Sequence, residues 1–385
     1  NEIIRNYAPA QQHNLSLRGG NEIIQYYGFV GYLNQETIVK NGGGNYERFN
    51  IRSNIDAKIL DNLKMSVDMS AIIESRKNPY VPIGYNSENS NLWGLLDQTL
   101  PTYSASLPDE SKIPYAGLAT YGGAHVASNR GLVGTNDTFT DNIRLQGTLQ
   151  YDVKEVPGLS AKASFTYNKI LSHNKKFQRP FKTYRYLYSG EEYIEYQGWP
   201  NPSLLESRSE WQELTGQAYL TYERVFGEKH SFKAMVVGEF IDTKASDLGG
   251  SREGYYTDKI PYLNFGSVNN MTSSGGASED GRASLLGRIN YSYADKYMIE
   301  GILRYDATAQ LPKGSRGGYF PSVSAAWRMS EEPFLKDHAK WLSNLKIRAS
   351  WGQSGYDKFF AASMPFPYYG EYVQGNGYVI GGNTE

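Results

Sequence analysis

Five histidines, His13, His125, His173, His230 and His338, are the first residues to ask for chemistry, and their spacing offers none. No two stand at metal-ligand separations, so a surface or loop role is the plainer reading for each. Gly42-Gly43-Gly44-Asn45 is glycine-rich like a phosphate cradle, but no Lys-Ser or Lys-Thr follows it, and it reads as a loop. The chain has 40 acidic residues, yet no Ser/His/Asp order or paired-carboxylate motif rises above that background. The absence of cysteine excludes disulfides, thiolate metal sites and cysteine nucleophiles. No covalent chemistry and no cofactor are expected.

Recognition is the chemistry that remains, and aromatic residues would carry it. Tyrosine occurs 32 times. Tyr80, Tyr85, Trp93, Tyr103, Tyr115 and Tyr121 crowd one polar stretch, and Tyr184, Tyr186, Tyr188, Tyr193, Tyr196 and Trp199 a second. Tyr255, Tyr256 and Tyr262 follow, then Tyr368, Tyr369 and Tyr372. Such rings can stack on sugars or grip peptides while their hydroxyls hydrogen-bond. They can equally pack the loops together and dock a protein lid, because tyrosine is enriched at interfaces. Both readings stay open, and Tyr80, Tyr85, Trp93, Tyr103, Tyr115, Tyr184, Tyr186, Tyr188, Trp199, Tyr255 and Tyr256 are the candidate contacts to substrate or lid. The alternation Tyr184, Tyr186, Tyr188 predicts a β-hairpin standing beyond the main sheet.

The elements that position these residues read as strands. From Ile143 every second residue is apolar or small: Ile143, Leu145, Gly147, Leu149, Tyr151, Val153. The interleaved set, Asn142 to Asp152, is polar, so one face suits lipid and the other water. After Glu155-Val156-Pro157-Gly158 the alternation resumes at Leu159 and runs to Tyr167. The same grammar recurs over 49–71, 214–240, 285–305, 323–327 and 345–351, giving about twelve strands between His13 and Gln353. Arg144, Arg288, Arg304, Arg348, Asp68 and Asp152 fall on the polar faces. A network lining a lumen against a plug is the plainer role for them, and direct ligand contact the sharper one. Helical spacing shows only near Glu331–Leu342.

Connections alternate in length. Short turns follow residues 60, 154, 227 and 294, and long polar segments lie near 77–138, 172–210, 244–281 and 354–385. Long loops at one end and short turns at the other are the pattern of an outer-membrane β-barrel, whereas a sandwich mixes them. Aromatics gather beside the short turns at Tyr151, Tyr222, Phe226, Tyr293 and Tyr297, where an interfacial girdle would lie. No apolar run is long enough for a transmembrane helix. Net charge is −1 without a basic block, so nucleic acid is not an expected partner. The expectation is an all-β transmembrane antiparallel barrel covering 1–385 in part. Its ends, abrupt at Asn1 and inside a glycine-rich stretch at Glu385, read as those of a fragment. A soluble β-rich binding module is the alternative, and it requires the apolar faces to form a core.

Several stretches resemble the SusC/RagA-like TonB-dependent transporters of Bacteroidota. They include His13-Asn14-Leu15-Ser16-Leu17-Arg18-Gly19-Gly20, Gly31–Glu36, Tyr46–Asp56 and Leu285–Tyr291. The longest is Gly317-Gly318-Tyr319-Phe320-Pro321-Ser322-Val323-Ser324-Ala325-Ala326-Trp327-Arg328, followed by Glu332-Pro333-Phe334-Leu335 and Leu345–Gly355. The resemblance implies a 22-stranded barrel of which this chain carries roughly strands two to thirteen, with plug and TonB box outside it. It implies import of oligosaccharide or oligopeptide nutrients, a SusD-like lipoprotein over the mouth, and TonB as the energy source. Lipid and lipopolysaccharide would surround the barrel, and transporter–lipoprotein units could pair as dimers. A scaffold without cargo, in a larger outer-membrane assembly, is the alternative.

Overall fold

A computed structural model describes residues 3–40, 42–81, 92–97, 100, 104, 106–115, 121–199, 201–311, 314, 316–338, 341–355, 371–374 and 377–380. Twelve strands form one antiparallel sheet in sequence order: β1 Ala10–Gly20, β2 Ile24–Glu36, β3 Asn45–Leu60, β4 Leu63–Pro79, β5 Gly134–Asp152, β6 Leu159–Gln178, then β9 Ser203–Phe226, β10 His230–Glu253, β11 Thr272–Tyr293, β12 Tyr297–Thr308, β13 Gly317–Arg328 and β14 Lys346–Gly352. Between β6 and β9 stands a separate hairpin, β7 Phe181–Leu187 with β8 Glu192–Gly198. A second small hairpin pairs β15 Glu371–Gln374 with β16 Gly377–Ile380. Among the described residues no helix is long and apolar enough to cross a membrane.

The two faces of the sheet are inverted relative to a soluble protein. Leu220, Val236 and Leu303 lie along one cross-strand row of the apolar face and are 50%, 49% and 51% exposed. On the other face, Ser164, Gln217, Glu239, Ser284 and Asp306 form one cross-strand row and are half-buried. Among the described residues, buried apolar side chains form three small clusters, none within the apolar band; that of Phe177, Leu204 and Tyr255 lies on the same face beyond it. A sandwich would bury Leu220 and Val236 and expose the glutamates. Here the apolar band faces outward, as lipid requires.

Register shows the tilt of a barrel. One outward row starts at Ile24 and passes through Ala57, Met65, Leu149, Ala163, Ala218, Gly238 and Leu285 to Tyr305. Ile24 opens β2 beside its turn, whereas Tyr305 lies 8 residues past the turn that opens β12 at Tyr297. That climb of ~27 Å across ~38 Å of strand spacings tilts the strands about 35°. Transmembrane barrels tilt their strands by about 35–45°. Gly216 lets this face close up, since a Cβ there would meet the Phe240 ring at 2.1 Å.

Connections at one end are 21–23, 61–62, 153–158, 227–229, 294–296 and 329–345; at the other, 37–44, 80–133, 179–202, 254–271 and 309–316. The alternation of long and short holds for most of them. The strands, however, run on through much of 172–210 and 244–281, where β6, β9, β10 and β11 stay hydrogen-bonded. Outward residues there are mostly polar, charged or small, apart from Phe177, Leu204 and Leu248: Glu210 accepts from Lys169 at 2.7 Å and Lys244 faces Glu279 at 3.4 Å. The sheet therefore continues past its apolar band. The helical spacing near Glu331–Leu342 yields only a 3-10 turn, Met329–Glu331, and a short helix, Pro333–Lys336.

Candidate functional site

The loop end carries the recognition residues. Segment 80–133 and the hairpin β7–β8 fold against each other. Tyr184 N–H donates to Ile113 O and Tyr115 N–H to Tyr184 O, both at 2.8 Å, so residues 113–115 extend the hairpin. Trp199 is the hub beneath it, its ring 5.0 Å from Tyr80 and 5.1 Å from Phe181, both edge-on. Val126, Val133, Ile113 and Leu132 complete that cluster. The Trp199 backbone sits at φ 46°, a left-handed conformation that non-glycine residues adopt only when held there. Lys176 places its ammonium 4.5 Å from the Tyr80 ring, and burial pushes the Tyr80 hydroxyl's pKa up.

On the exposed side of the hairpin, Tyr186 lies 4.8 Å from both Tyr188 and Tyr193. Lys112 is set between Tyr184 and Tyr193, at 5.5 and 5.0 Å. Its ammonium bonds Asp109 Oδ2 at 2.6 Å, and Tyr193 Oη accepts from the Asp109 N–H at 2.9 Å. The Lys112 hydrogen bond, with those from Ser111, holds the Asp109 carboxyl at a pKa of about 2.

The aromatic candidates therefore divide. Tyr80, Trp199 and the half-exposed Tyr115, whose ring is 4.3 Å from Tyr196, join the two loops. Tyr255 is buried against Phe177, 5.5 Å away, and burial raises its pKa. Trp93 is half-buried on the helix Leu92–Asp97, beside the cluster of Leu92, Ile3, Val39, Ala124 and Ala127. Tyr184, Tyr186, Tyr188 and Tyr256 keep surface to offer, Tyr188 at 75% and Tyr256 fully exposed. Tyr85 and Tyr103 lie outside the described residues, as do Tyr368, Tyr369 and the side chains of Tyr121 and Tyr372. Three of the five histidines serve as strand partners: His173 contacts Glu206 at 2.8 Å, His230 contacts Tyr291 Oη at 2.7 Å, and His13 stacks on Tyr32; His125 lies on the helix Tyr121–Ser128 and His338 follows the helix Pro333–Lys336.

The polar face holds a second set. Ser164 donates to Gln217 at 3.2 Å, Gln217 donates to Glu239, and Ser284 donates to Asp306 at 2.6 Å. Arg304 bonds Asp306 at 2.6 Å and Ser284 at 3.1 Å, so the ladder crosses five strands. Arg288 bonds Glu300 at 2.8 Å. Arg144 reaches only the Gln146 amide oxygen at 3.2 Å, and Asp68 accepts from Asn54.

Glu332 was legible only as part of a motif, and the structure assigns it a task. Its carboxylate accepts from Tyr297 Oη at 2.6 Å and Trp327 Nε1 at 3.1 Å, with Lys296 at 3.6 Å. Hydrogen bonds from Tyr297 and Trp327 lower its pKa. It fixes two girdle aromatics, stacked at 6.4 Å, at the short-turn end. Tyr297 stands far from it in sequence, so no local signal announced the clamp.

No protein-family profile matches the chain. The TonB-dependent receptor P26 of Formosa agariphila is 26% identical over 364 residues, covering 92% of this chain and 33% of that protein. The TonB-dependent receptor SusC of Bacteroides thetaiotaomicron is 26% identical over 393 aligned residues, covering 96% and 36%. The chain thus spans about a third of the curated relatives it matches. Among solved structures, the RagAB peptide transporter superimposes with TM-score 0.71 at 18% identity, covering 98% of this chain and 40% of that one. The RagAB peptide importer in its open-open state gives 0.73 at 19% identity, covering 94% and 38%. In sequence and in fold this chain is similar to a stretch of the β-barrel of SusC/RagA-like TonB-dependent receptors.

Proposed function

We propose that the protein imports an oligosaccharide or oligopeptide nutrient across the outer membrane, energised through TonB, with a SusD-like lipoprotein seated over its loop end. The observation that carries this is the inverted sheet: apolar residues outward without a cover, and a hydrogen-bonded polar face within. That surface suits a lipid-embedded wall around a water-filled passage. No catalytic constellation is needed for passage, and the protein acts without covalent chemistry.

In this reading the chain is one arc of a closed barrel. Among the described residues β1 and β14 each leave one edge of N–H and C=O groups unpaired, which lipid cannot satisfy, so in this reading further strands pair with both. The short turns face the periplasm, and the connections 37–44, 80–133, 179–202, 254–271 and 309–316 face the outside. Tyr186, Tyr188 and Tyr256 are then placed to touch cargo or lid. Deleting the gene and measuring uptake of candidate glycans and peptides tests the proposal. Loss of uptake of one class supports import; unchanged uptake of all, with a weakened envelope, would instead favour a scaffold.

A further inference from the structure

The two halves of the polar face treat their charges differently. On β11 and β12 every arginine has a carboxylate: Arg282 with Asp280 at 3.2 Å, Arg288 with Glu300 at 2.8 Å, Arg304 with Asp306 at 2.6 Å. On β3 and β5, Arg52 and Arg144 have none within ion-pair distance among the described residues, and both are exposed. Asp68, the acid nearest them in register on the intervening strand, is taken by the Asn54 amide. We propose that Arg52 and Arg144 bind the carboxylates of an acidic peptide cargo. This rests on the import reading above and names the class of cargo.

The register sets the geometry. Arg52, Ser70, Arg144 and Asn168 are direct cross-strand neighbours in one row. The two arginines thus flank Ser70 at two strand spacings, ~10 Å, close enough for both planar guanidinium forks to converge above it. Asn168 Oδ1 is buried beside them without a partner and can accept a backbone N–H. One same-face step toward the loop end, Ile72, Asn142, Ile170 and Trp211 form the next row. The members nearest the arginines, Ile72, Asn142 and Ile170, decide between cargoes, since Trp211 stands on β9, two strand spacings from Arg144. Isoleucine offers a sugar ring no flat stacking surface, but it packs well against apolar side chains, while the asparagine can bond a peptide backbone. Carboxylates beside apolar side chains on an amide backbone describe an acidic peptide. A neutral peptide would leave both guanidinium groups unpaired once water is excluded, which disfavours it.

The test uses the full-length protein in lipid nanodiscs. The probe is a fluorescein-labelled octapeptide alternating Glu and Leu, compared with its Gln/Leu counterpart. The acidic peptide should bind about tenfold tighter or better, as charge-assisted bonds to two arginines imply, and the advantage should shrink in high salt. The R52Q/R144Q variant should lose the preference while still binding the Gln/Leu peptide; R52K/R144K should keep part of it. Should the double variant fail to fold, R52Q and R144Q singly should each lose part of the preference. Equal binding of the two peptides, or a preference that survives R52Q/R144Q, overturns the proposal. So does displacement of the acidic peptide by trigalacturonate at lower concentration than by unlabelled peptide, which would make the cargo an anionic glycan. Cells that import both peptides alike keep the import reading and lose this one; cells that import neither lose the import reading itself.

Discussion

In the strand band Phe240 is 45% exposed and packs over Gly216, while Gln217 and Glu239 bond to each other on the opposite face. In the loop cluster the relation reverses: Phe177 is 1% exposed, packed against Leu204 and Tyr255. One chain thus holds two solvation regimes. The band has no core of its own and depends on lipid for its apolar face and on ladder hydrogen bonds for its backbone. The loops have small soluble-type cores and depend on ring packing. The same substitution should therefore have different consequences in the two regions.

The largest contrast should come from deleting an aromatic ring. Phe177→Ala leaves a cavity beneath Tyr255 and should cost about 3–5 kcal/mol locally. Hydrogen exchange should rise in 203–206 and 254–271 while β12 and β13 stay protected. Phe165→Ala in the band, where the ring is 50% exposed, should cost less because lipid fills the space. Equal losses in urea unfolding from liposomes would break the comparison.

Charge should reverse that ranking. Val236→Arg puts a guanidinium into the middle of the outward band and should destabilise by about 2–4 kcal/mol. Leu248→Arg lies on the same face but above the band, where Lys244 already sits, and should be nearly neutral. If both variants fold equally well into liposomes, the band does not face lipid.

These contrasts also explain what the sequence could and could not reveal. From Phe232 to Phe240 every outward residue is apolar or glycine, so the alternation survives and the strand is legible. From Asp242 to Asp247 both faces carry polar or small residues. The alternation ends although β10 stays paired with β9 and β11 to Ser251, so that stretch read as loop. Among the aromatics, Tyr184 and Tyr186 announced their hairpin by spacing. Nothing local told that Trp199 would hold Tyr80 and Phe181 while Tyr188 stayed in water, because that choice depends on pairing between distant loops. Arg144 was placed on the polar face by period alone. Its lack of a carboxylate emerged only from the register with Ser70 and Asn168.

A local effect should follow from acid. Asp109, depressed to about 2, supports the folded loop above its ordinary pKa of ~3.9 and loses that support as pH falls toward 2. The Lys112 contact with Tyr184 and Tyr193 should therefore persist at pH 5 and fade below about 4. Tyrosine fluorescence of the folded protein should report the change, and Asp109→Asn should show the low-pH signal at neutral pH. A flat profile in both would separate this contact from the loop's order.

The smallest effect should appear at the turns, where two turns at the same end of the band can be set against each other. The β9–β10 turn places Gly227 at φ 53° and Glu228 at φ 62°, so glycine takes one of its two left-handed positions. The β11–β12 turn needs the same geometry but uses Ala294 at φ 51° and Asp295 at φ 54°. Alanine carries the full Cβ penalty there, since it has no side-chain polar group to compensate, whereas aspartate tolerates the conformation. Ala294→Gly should relieve strain at some entropic cost in the unfolded chain, for a net gain of about 0.5–1 kcal/mol. Gly227→Ala should lose a similar amount. Because both turns close strands of the same apolar band, lipid contributes equally to each, and the difference between the two variants isolates backbone strain. Should Ala294→Gly destabilise instead, the turn's left-handed geometry would be wrong, and with it the register that places Tyr293 opposite Tyr297.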